Sequence, residues 1–262
     1  MHTAERDRLM DIVGPRDQAR LLEQQTGLGA CFMKITPSTT IRSNLSSDQY
    51  RLGLKWWLGC KIIHEDDQNP AVCPGCLSHV DPWGDHLLCC PRDNFSSRHR
   101  ALQDSLANII QETGQGYAKE VVIPHCPDHQ LRPADILVRS WDSGKDLAID
   151  LTICHGWQAS ERSGSITRER WRSFLTRKEQ GKAIKYAKPC EAAGWIFQGM
   201  AFGTWGGMGP GAARLLAKLL KRGASWDEGE RRAARQEELR ETLGLTLMSH
   251  IIDLLEAKNL LQ

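Results

Sequence analysis

The sequence predicts a mixed α/β chain, and three stretches carry that expectation. From Arg98 to Thr113, Leu102, Leu106, Ile109 and Ile110 recur on one stripe, the period of an amphipathic helix, with Gly114 as its stop. From Asp135 to Asp150 the chain reads DILVRSWDSGKDLAID, two apolar strand-like runs on either side of the turn Asp142-Ser143-Gly144. From Trp171 to Ala187 the pattern is helical again, now basic, and the strand-like patch Trp195-Ile196-Phe197 follows within Ala192 to Phe202.

The remaining elements fall into place around these. Residues 1 to about 30 read as helical, broken at Gly27 and Gly29, and Ile35 to Ser47 reads as a Ser/Thr-rich loop. Gln49 to Ile63 is apolar, with Leu52, Leu54, Trp56, Trp57 and Leu58. Val121-Val122-Ile123 predicts a short strand, and Gly203-Thr204-Trp205-Gly206-Gly207 a tight turn that packs Trp205. Pro210 opens a helix from Ala212 to Lys221 that Gly223 closes. Glu228 to Arg240 predicts a charged helix, and Leu245 to Leu261 a final amphipathic one. The segments suggest an N-terminal helical part (1–65), a cysteine-rich knuckle (66–97), a central core (98–209) and C-terminal helices (210–262).

Composition narrows the class. At 262 residues the chain can bury a sizeable core in one domain, or in one domain with appendages. A net charge of +2 excludes a polybasic tail. No apolar run approaches about 18 residues, so no membrane span is expected. The opening MHTAERDRLMDIVG is charged throughout and does not read as a secretory leader. Nine cysteines, several of them clustered, argue for metal rather than disulfides in such a chain.

The cluster is Cys73-x-x-Cys76 followed by His79, Asp81, His86, Cys89 and Cys90. Cys73 and Cys76 have knuckle spacing, and His86 shares a helical face with either Cys89 or Cys90. Cys73, Cys76, His86 and Cys90 close a tetrahedral, structural zinc site, with Cys89 and His79 as alternative ligands. His125-Cys126-x-x-His129, punctuated by Pro124 and Pro127, offers only three donors and reads as a loop.

The hairpin holds the chemistry. Strands joined at its turn pair residues whose numbers sum to about 286, which brings Asp135 and Asp150 almost opposite one another. In Leu147 to Ile153 the large side chains take one face, and Ala148, Asp150 and Thr152 take the other. Like charges so placed are destabilising unless solvent or a cation separates them. Mg2+ is held by one or two carboxylates plus water and phosphate oxygens, and a metal so held assists phosphodiester hydrolysis. Glu120 either completes this acidic group or ends a strand.

From Glu161 to Lys188 nine Lys and Arg stand against three Glu. Arg168, Arg170, Arg172, Arg177, Lys178, Lys182, Lys185 and Lys188 can track a phosphate backbone without reading sequence, and Trp157 and Trp171 can stack on bases.

With those pieces assembled, the chain resembles the restriction-like endonuclease domain of site-specific non-LTR retrotransposons and of similar reverse-transcriptase-like open reading frames. Five motifs carry the resemblance in order: CPGC…GDHLLCC, Arg98-His99 at the head of a helix, Glu120 before a strand, Arg132-Pro133-Ala134-Asp135 with fourteen residues to Asp150, and Lys182-x-x-Lys185-Tyr186. They span Leu52 to Gly209. The resemblance implies a PD-(D/E)XK nuclease core, a small mixed sheet flanked by helices, that cuts DNA with Mg2+ or Mn2+ held by Asp135 and Asp150. It implies a lysine from the following helix, Lys182 first and Lys185 in reserve. It implies phosphate contacts from Arg98, His99 and Arg132, and a nuclear location. The chain departs from the family pattern at Ala134, inserted between Pro133 and Asp135, and at Thr152, where a lysine is common. The alternative is a catalytically decayed, zinc-containing module that binds DNA or RNA without cutting it.

Overall fold

The computed structural model describes residues 3–25, 28–34, 45–64, 70–92, 95–123, 132, 134–157, 168–223 and 229–257. In chain order the elements are α1 (Thr3–Ile12), α2 (Pro15–Gln24), a 3-10 turn (Gly29–Lys34), α3 (Ser47–Leu58), α4 (Asp85–Cys89), α5 (Ser96–Glu112), β1 (Tyr117–Val121), β2 (Ala134–Asp142), β3 (Lys145–Cys154), α6 (Arg168–Ala192), β4 (Ile196–Gly203), α7 (Pro210–Gly223) and α8 (Glu230–Glu256). The strands form one mixed sheet in the order β1-β2-β3-β4, antiparallel up to β3 and parallel between β3 and β4. A parallel pair needs a crossover, and α6 supplies it.

Alternation sorts the faces of the sheet. Ile136, Val138, Leu147, Ile149 and Leu151 pack with the α5 stripe, with Leu215, Leu216 and Leu219 of α7 and with Leu239, Leu243 and Leu247 of α8. Leu137 and Ala148 pack toward Cys190 of α6. A third apolar cluster draws on all four segments of the chain, from Ala19, Leu22 and Trp56 through Leu87 and Leu88 to Trp205, Ile251 and Leu255. At its centre Trp56 and Trp205 stack at 5.8 Å between ring centroids.

Two buried carboxylates tie the layers together. Glu179 of α6 caps α7, accepting from Gly211 N and Ala212 N at 2.8 Å each, and it reaches Ala201 N of β4 at 3.3 Å. Glu23 of α2 accepts from Trp205 N at 2.9 Å, Gly207 N at 3.3 Å and Trp171 Nε1 at 3.2 Å. A Cβ on Gly203 would come within 2.0 Å of Glu23, so the turn around Trp205 requires glycine there. Burial pushes the Glu23 carboxyl above its usual range, although its donors pull the other way.

Two expectations are corrected. The charged and the amphipathic C-terminal helices are one helix, α8. Gly244 does not break it, because the stripe Leu239, Leu243, Leu247, Ile251, Leu255 runs through at i,i+4 and all five are buried. At Gly244 a Cβ would meet Cys31 at 2.9 Å, so the small residue serves close packing. The strand expected at Val121-Val122-Ile123 lies earlier, at Tyr117–Val121, with Glu120 inside it. Pairing with β2 decides those bounds, since Ile123 is buried against the neighbouring cluster beyond the ladder. His125, Cys126 and His129 lie outside the described residues, as does most of the Ile35–Ser47 loop.

Candidate metal centre and acidic site

The knuckle is a tight turn followed by one helical turn. Val72 bridges His79, Leu77 N donates to Cys73 O at 2.8 Å, and Leu77 takes the left-handed φ of 61°. Asp81 accepts from Trp83 N, Asp85 N and His86 N, which caps α4 and aims His86. The donor atoms of Cys73, Cys76, His86 and Cys90 all lie within 4.8 Å of one another. Cys73 Sγ and Cys90 Sγ are 3.7 Å apart, and Cys76 Sγ stands 3.1 Å from His86 Nε2. Sulfurs at about 2.3 Å from a tetrahedral zinc stand about 3.8 Å apart, so the spacing fits. Hydrogen bonds from Ser78 lower the Cys76 thiol to about 6, whereas burial pushes Cys90 up to about 11, a cost that a bound cation reverses. Of the alternatives, Cys89 Sγ turns to Asp85 O at 3.4 Å and His79 is exposed. Cys90 is the ligand the geometry selects.

The residue before His86 anchors the knuckle. Asp85, 1% exposed, pairs with Arg16 through Nε at 2.5 Å and Nη2 at 2.8 Å, and it faces His155 Nε2 at 3.3 Å. Burial works to raise its carboxyl, but His155 and Arg16 outweigh it and hold Asp85 at about 2.

The second site lies across the sheet. The hairpin turns at Ser143 and Gly144, both at positive φ (49° and 78°), the conformation of a two-residue turn matching strand twist. Asp142 faces Lys145, the register shifts, and Ile136 then faces Ile149. Asp135 and Asp150 stand next to that last pair, where Leu151 N donates to the Asp135 side chain. In β1, the pairs Lys119–Ile136 and Val121–Ala134 bracket Glu120 and set it level with Asp135. On the far side Asp150 faces Gly199. The backbone positions of Glu120, Asp135 and Asp150 thus fall on three neighbouring strands, with Gly199 of β4 beside Asp150.

That glycine admits the lysine. A Cβ on Gly199 would meet Glu179 O at 3.2 Å and Lys182 Cβ at 3.3 Å, so α6 lies directly on β4 there. Lys182 Nζ reaches Asp150 Oδ1 at 2.8 Å and Oδ2 at 3.2 Å. Lys185 is exposed and stands over the Tyr186 ring at 4.8 Å. Asp150 is 4% exposed. Burial pushes its carboxyl up to about 6, Lys182 pulls it down, and Asp135 adds to the rise. Asp135 Oδ2 accepts from Leu151 N at 2.5 Å and stands 3.1 Å from His99 Nε2, while Oδ1 has no partner among the described residues. The Asp135 hydrogen bond, against the effect of burial, raises the His99 pKa. An all-oxygen donor pair of this kind suits Mg2+ or Mn2+.

The other expected residues divide. Arg98 is 3% exposed, its guanidinium over the Phe95 ring at 4.6 Å. Arg132 and Arg177 are exposed, Arg177 donating to Ser173 Oγ at 2.9 Å, and Lys178 lies over Phe174 at 5.2 Å. Arg168, Arg170 and Arg172 belong to α6, but their side chains are outside what is described. Trp171 does not stack on bases. It is buried and donates to Glu23, because its indole fills the core beneath α6. Sequence reading missed Gln103, a buried amide of α5 one turn beyond His99. A groove lined by Ser96, His99, Arg100, Gln103, Asp104, Lys119 and Glu120 opens between the start of α5 and β1, and neither Asp135 nor Asp150 lines it. Among the described residues no helix is long and apolar enough to cross a membrane.

No family model, no curated protein and no solved structure matches the chain.

Proposed function

We propose that the chain is a metal-dependent DNA endonuclease of restriction-like type, with a zinc knuckle as its structural element. The observation that carries this reading is the meeting of Lys182 Nζ, 2.8 Å from Asp150, with the neighbouring Asp135 close enough to raise the Asp150 carboxyl. Neighbouring carboxylates on a sheet are costly, and a lysine brought to one of them from a helix suits the charge stabilisation that phosphodiester hydrolysis draws on. A divalent ion held by Asp135 and Asp150 supplies charge neutralisation at the phosphate and an activated water. Asp135 is held by Leu151 N and His99, with one oxygen left to bind. Lys182 balances Asp150 in the resting chain and is placed to orient water and to stabilise the charge gathering on phosphorus. Thr152 supplies no ammonium, and in this reading Lys182 takes that part. The exposed cations Arg132, Arg177, Lys185 and Lys188 supply non-specific grip on the backbone, which weakens steeply with salt.

The test is nicking of supercoiled plasmid with Mg2+ or Mn2+. Asp135→Ala, Asp150→Ala and Lys182→Ala should each reduce the rate at least a hundredfold while salt-sensitive DNA binding survives. Binding with no cutting by the unsubstituted protein under either metal would favour the non-catalytic module. Variants that cut as fast as the parent would end the nuclease reading.

A further inference from the structure

The outer face of α7 carries charge of one sign only. Its inner face is apolar: Leu215, Leu216, Leu219 and Leu220 are buried against the sheet face turned away from α6. The opposite side carries Pro210, Arg214, Ala217, Lys218 and Lys221, all exposed. Spacings of three and four residues put them on one stripe. The helix, PGAARLLAKLLKRG, contains no acid. Arg214, Lys218 and Lys221 have no ion-pair partner among the described residues. The neighbouring α8 differs, since there Arg235 pairs with Glu112 and Glu238, and Arg240 with Glu237. Arg222 is withdrawn from the stripe. It lies over the Trp141 ring at 3.9 Å and donates to Trp141 O at 3.2 Å, which pins the end of α7 to β2.

Like charges at i,i+4 repel, and of the three cations only Lys221 stands in the last turn, where the helix carbonyls favour it. A polyanion laid along the stripe relieves that repulsion. We infer that α7 is a second docking surface for the phosphate backbone of duplex DNA, directed away from the α6 side of the sheet where Lys182 meets Asp150. The three cations cover about 10 Å of helix, and Ala217 between them leaves room for a backbone to approach. Duplex DNA offers a phosphate charge every 1.7 Å or so of its axis, dense enough to engage all three at once. Single strands are held largely by stacking on aromatic rings, and the stripe has none. A helix that lies on a membrane sinks its apolar face into lipid, whereas the leucines of α7 are already in the core. Contacts of this kind reach phosphates and carry no sequence information. The surface does not depend on the cutting chemistry.

Fluorescence anisotropy of a labelled duplex, titrated with the full chain in chelator at several salt concentrations, tests this without cutting. Glutamine keeps the side chains long and the helix stable, so Arg214→Gln, Lys218→Gln and Lys221→Gln together should leave the fold intact. That triple variant should bind about tenfold more weakly, and its slope of log affinity against log salt should be shallower by about 2–3. Lys218→Gln alone should flatten the slope by about 1. A charge-matched control, Arg51→Gln with Lys55→Gln and Arg231→Gln, removes three exposed cations elsewhere and should keep the parent slope. A parent-like slope in the α7 variant overturns the inference, and so does an equal loss in the control, which would reduce the effect to net charge. Binding to phosphatidylserine vesicles or to polyglutamate that falls in the α7 variant while duplex binding holds would also overturn it, by giving the stripe to another partner. The nuclease reading fails separately: a parent chain that binds duplex through α7 and never nicks plasmid removes the enzyme and leaves the docking surface.

Discussion

Asp150 shows what a single side chain contributes. It projects from β3 beside Ala148, is almost wholly buried, and meets a lysine at hydrogen-bond distance. Burial lifts its carboxyl from 3.8 to about 6, so the folded state binds the proton more tightly than the unfolded chain does. The stability this confers is complete below pH 3.8 and is lost as pH rises through about 6. At neutral pH the ionised form is therefore a burden on the fold. In chelator, Asp150→Asn should raise the unfolding free energy at pH 8 by roughly 3 kcal/mol, since one unit of pKa is worth about 1.4 kcal/mol. The gap should close below pH 4. Chemical denaturation across that range checks it; an equal gap at both ends, or a less stable variant at pH 8, would show that Lys182 contributes more than burial costs. The neighbourhood of the two acids was legible from the turn, but their register was not: Asp142 faces Lys145, and only the shift between Val138 and Asp142 brings Ile136 opposite Ile149 beside them. Gln103 was not legible, because nothing in an amphipathic helix marks which polar residue will face a strand.

Among the elements, α6 does the most. Its inner face delivers Lys182 to Asp150, Glu179 to the start of α7 and Trp171 to Glu23. Its outer face presents Arg177, Lys185 and Lys188 to solvent. The helix can lie this close to the sheet because β4 carries Gly199 beside Asp150. Gly199→Val would force α6 outward, and overpacking of this kind costs about 1–3 kcal/mol. The variant should fold with a lowered midpoint, and it should lose most nicking activity because Lys182 no longer reaches its partner. A variant that is destabilised but fully active would show that the Lys182–Asp150 contact is incidental. The helical character of this segment was readable from periodicity. Which of its cations turn inward depends on where the sheet lies, so Lys182 and Lys185 could be separated only once β4 was in place.

At the scale of the molecule, the knuckle is built into the core rather than hung from it. Val80, Leu87 and Leu88 share an apolar cluster with Trp56, Trp205, Ile251 and Leu255, and Asp85 joins Arg16 of α2 to His155 beyond β3. Metal lost from the knuckle should therefore be felt throughout. Elemental analysis should find about one zinc per chain, Cys73→Ser should abolish it, and the thermal midpoint should fall for the whole cooperative transition rather than for a separate phase. A metal-free protein with an unchanged midpoint would remove the zinc assignment while leaving the acidic site standing.

The sequence by itself determined the identities that chemistry needs: four soft donors at knuckle spacing, two aspartates on either side of a turn, and a basic helix after them. These are local matters of spacing and period, and residues within a few turns of one another carry them completely. The tertiary structure alone decided which lysine meets which acid, that Arg98 and Trp171 are buried, that α8 runs unbroken, and that Gln103 bridges Glu120 and the Asp135 carbonyl. Each of those depends on what packs against the element from elsewhere in the chain, and the free energy that settles them comes from burial and pairing between residues tens to hundreds of positions apart.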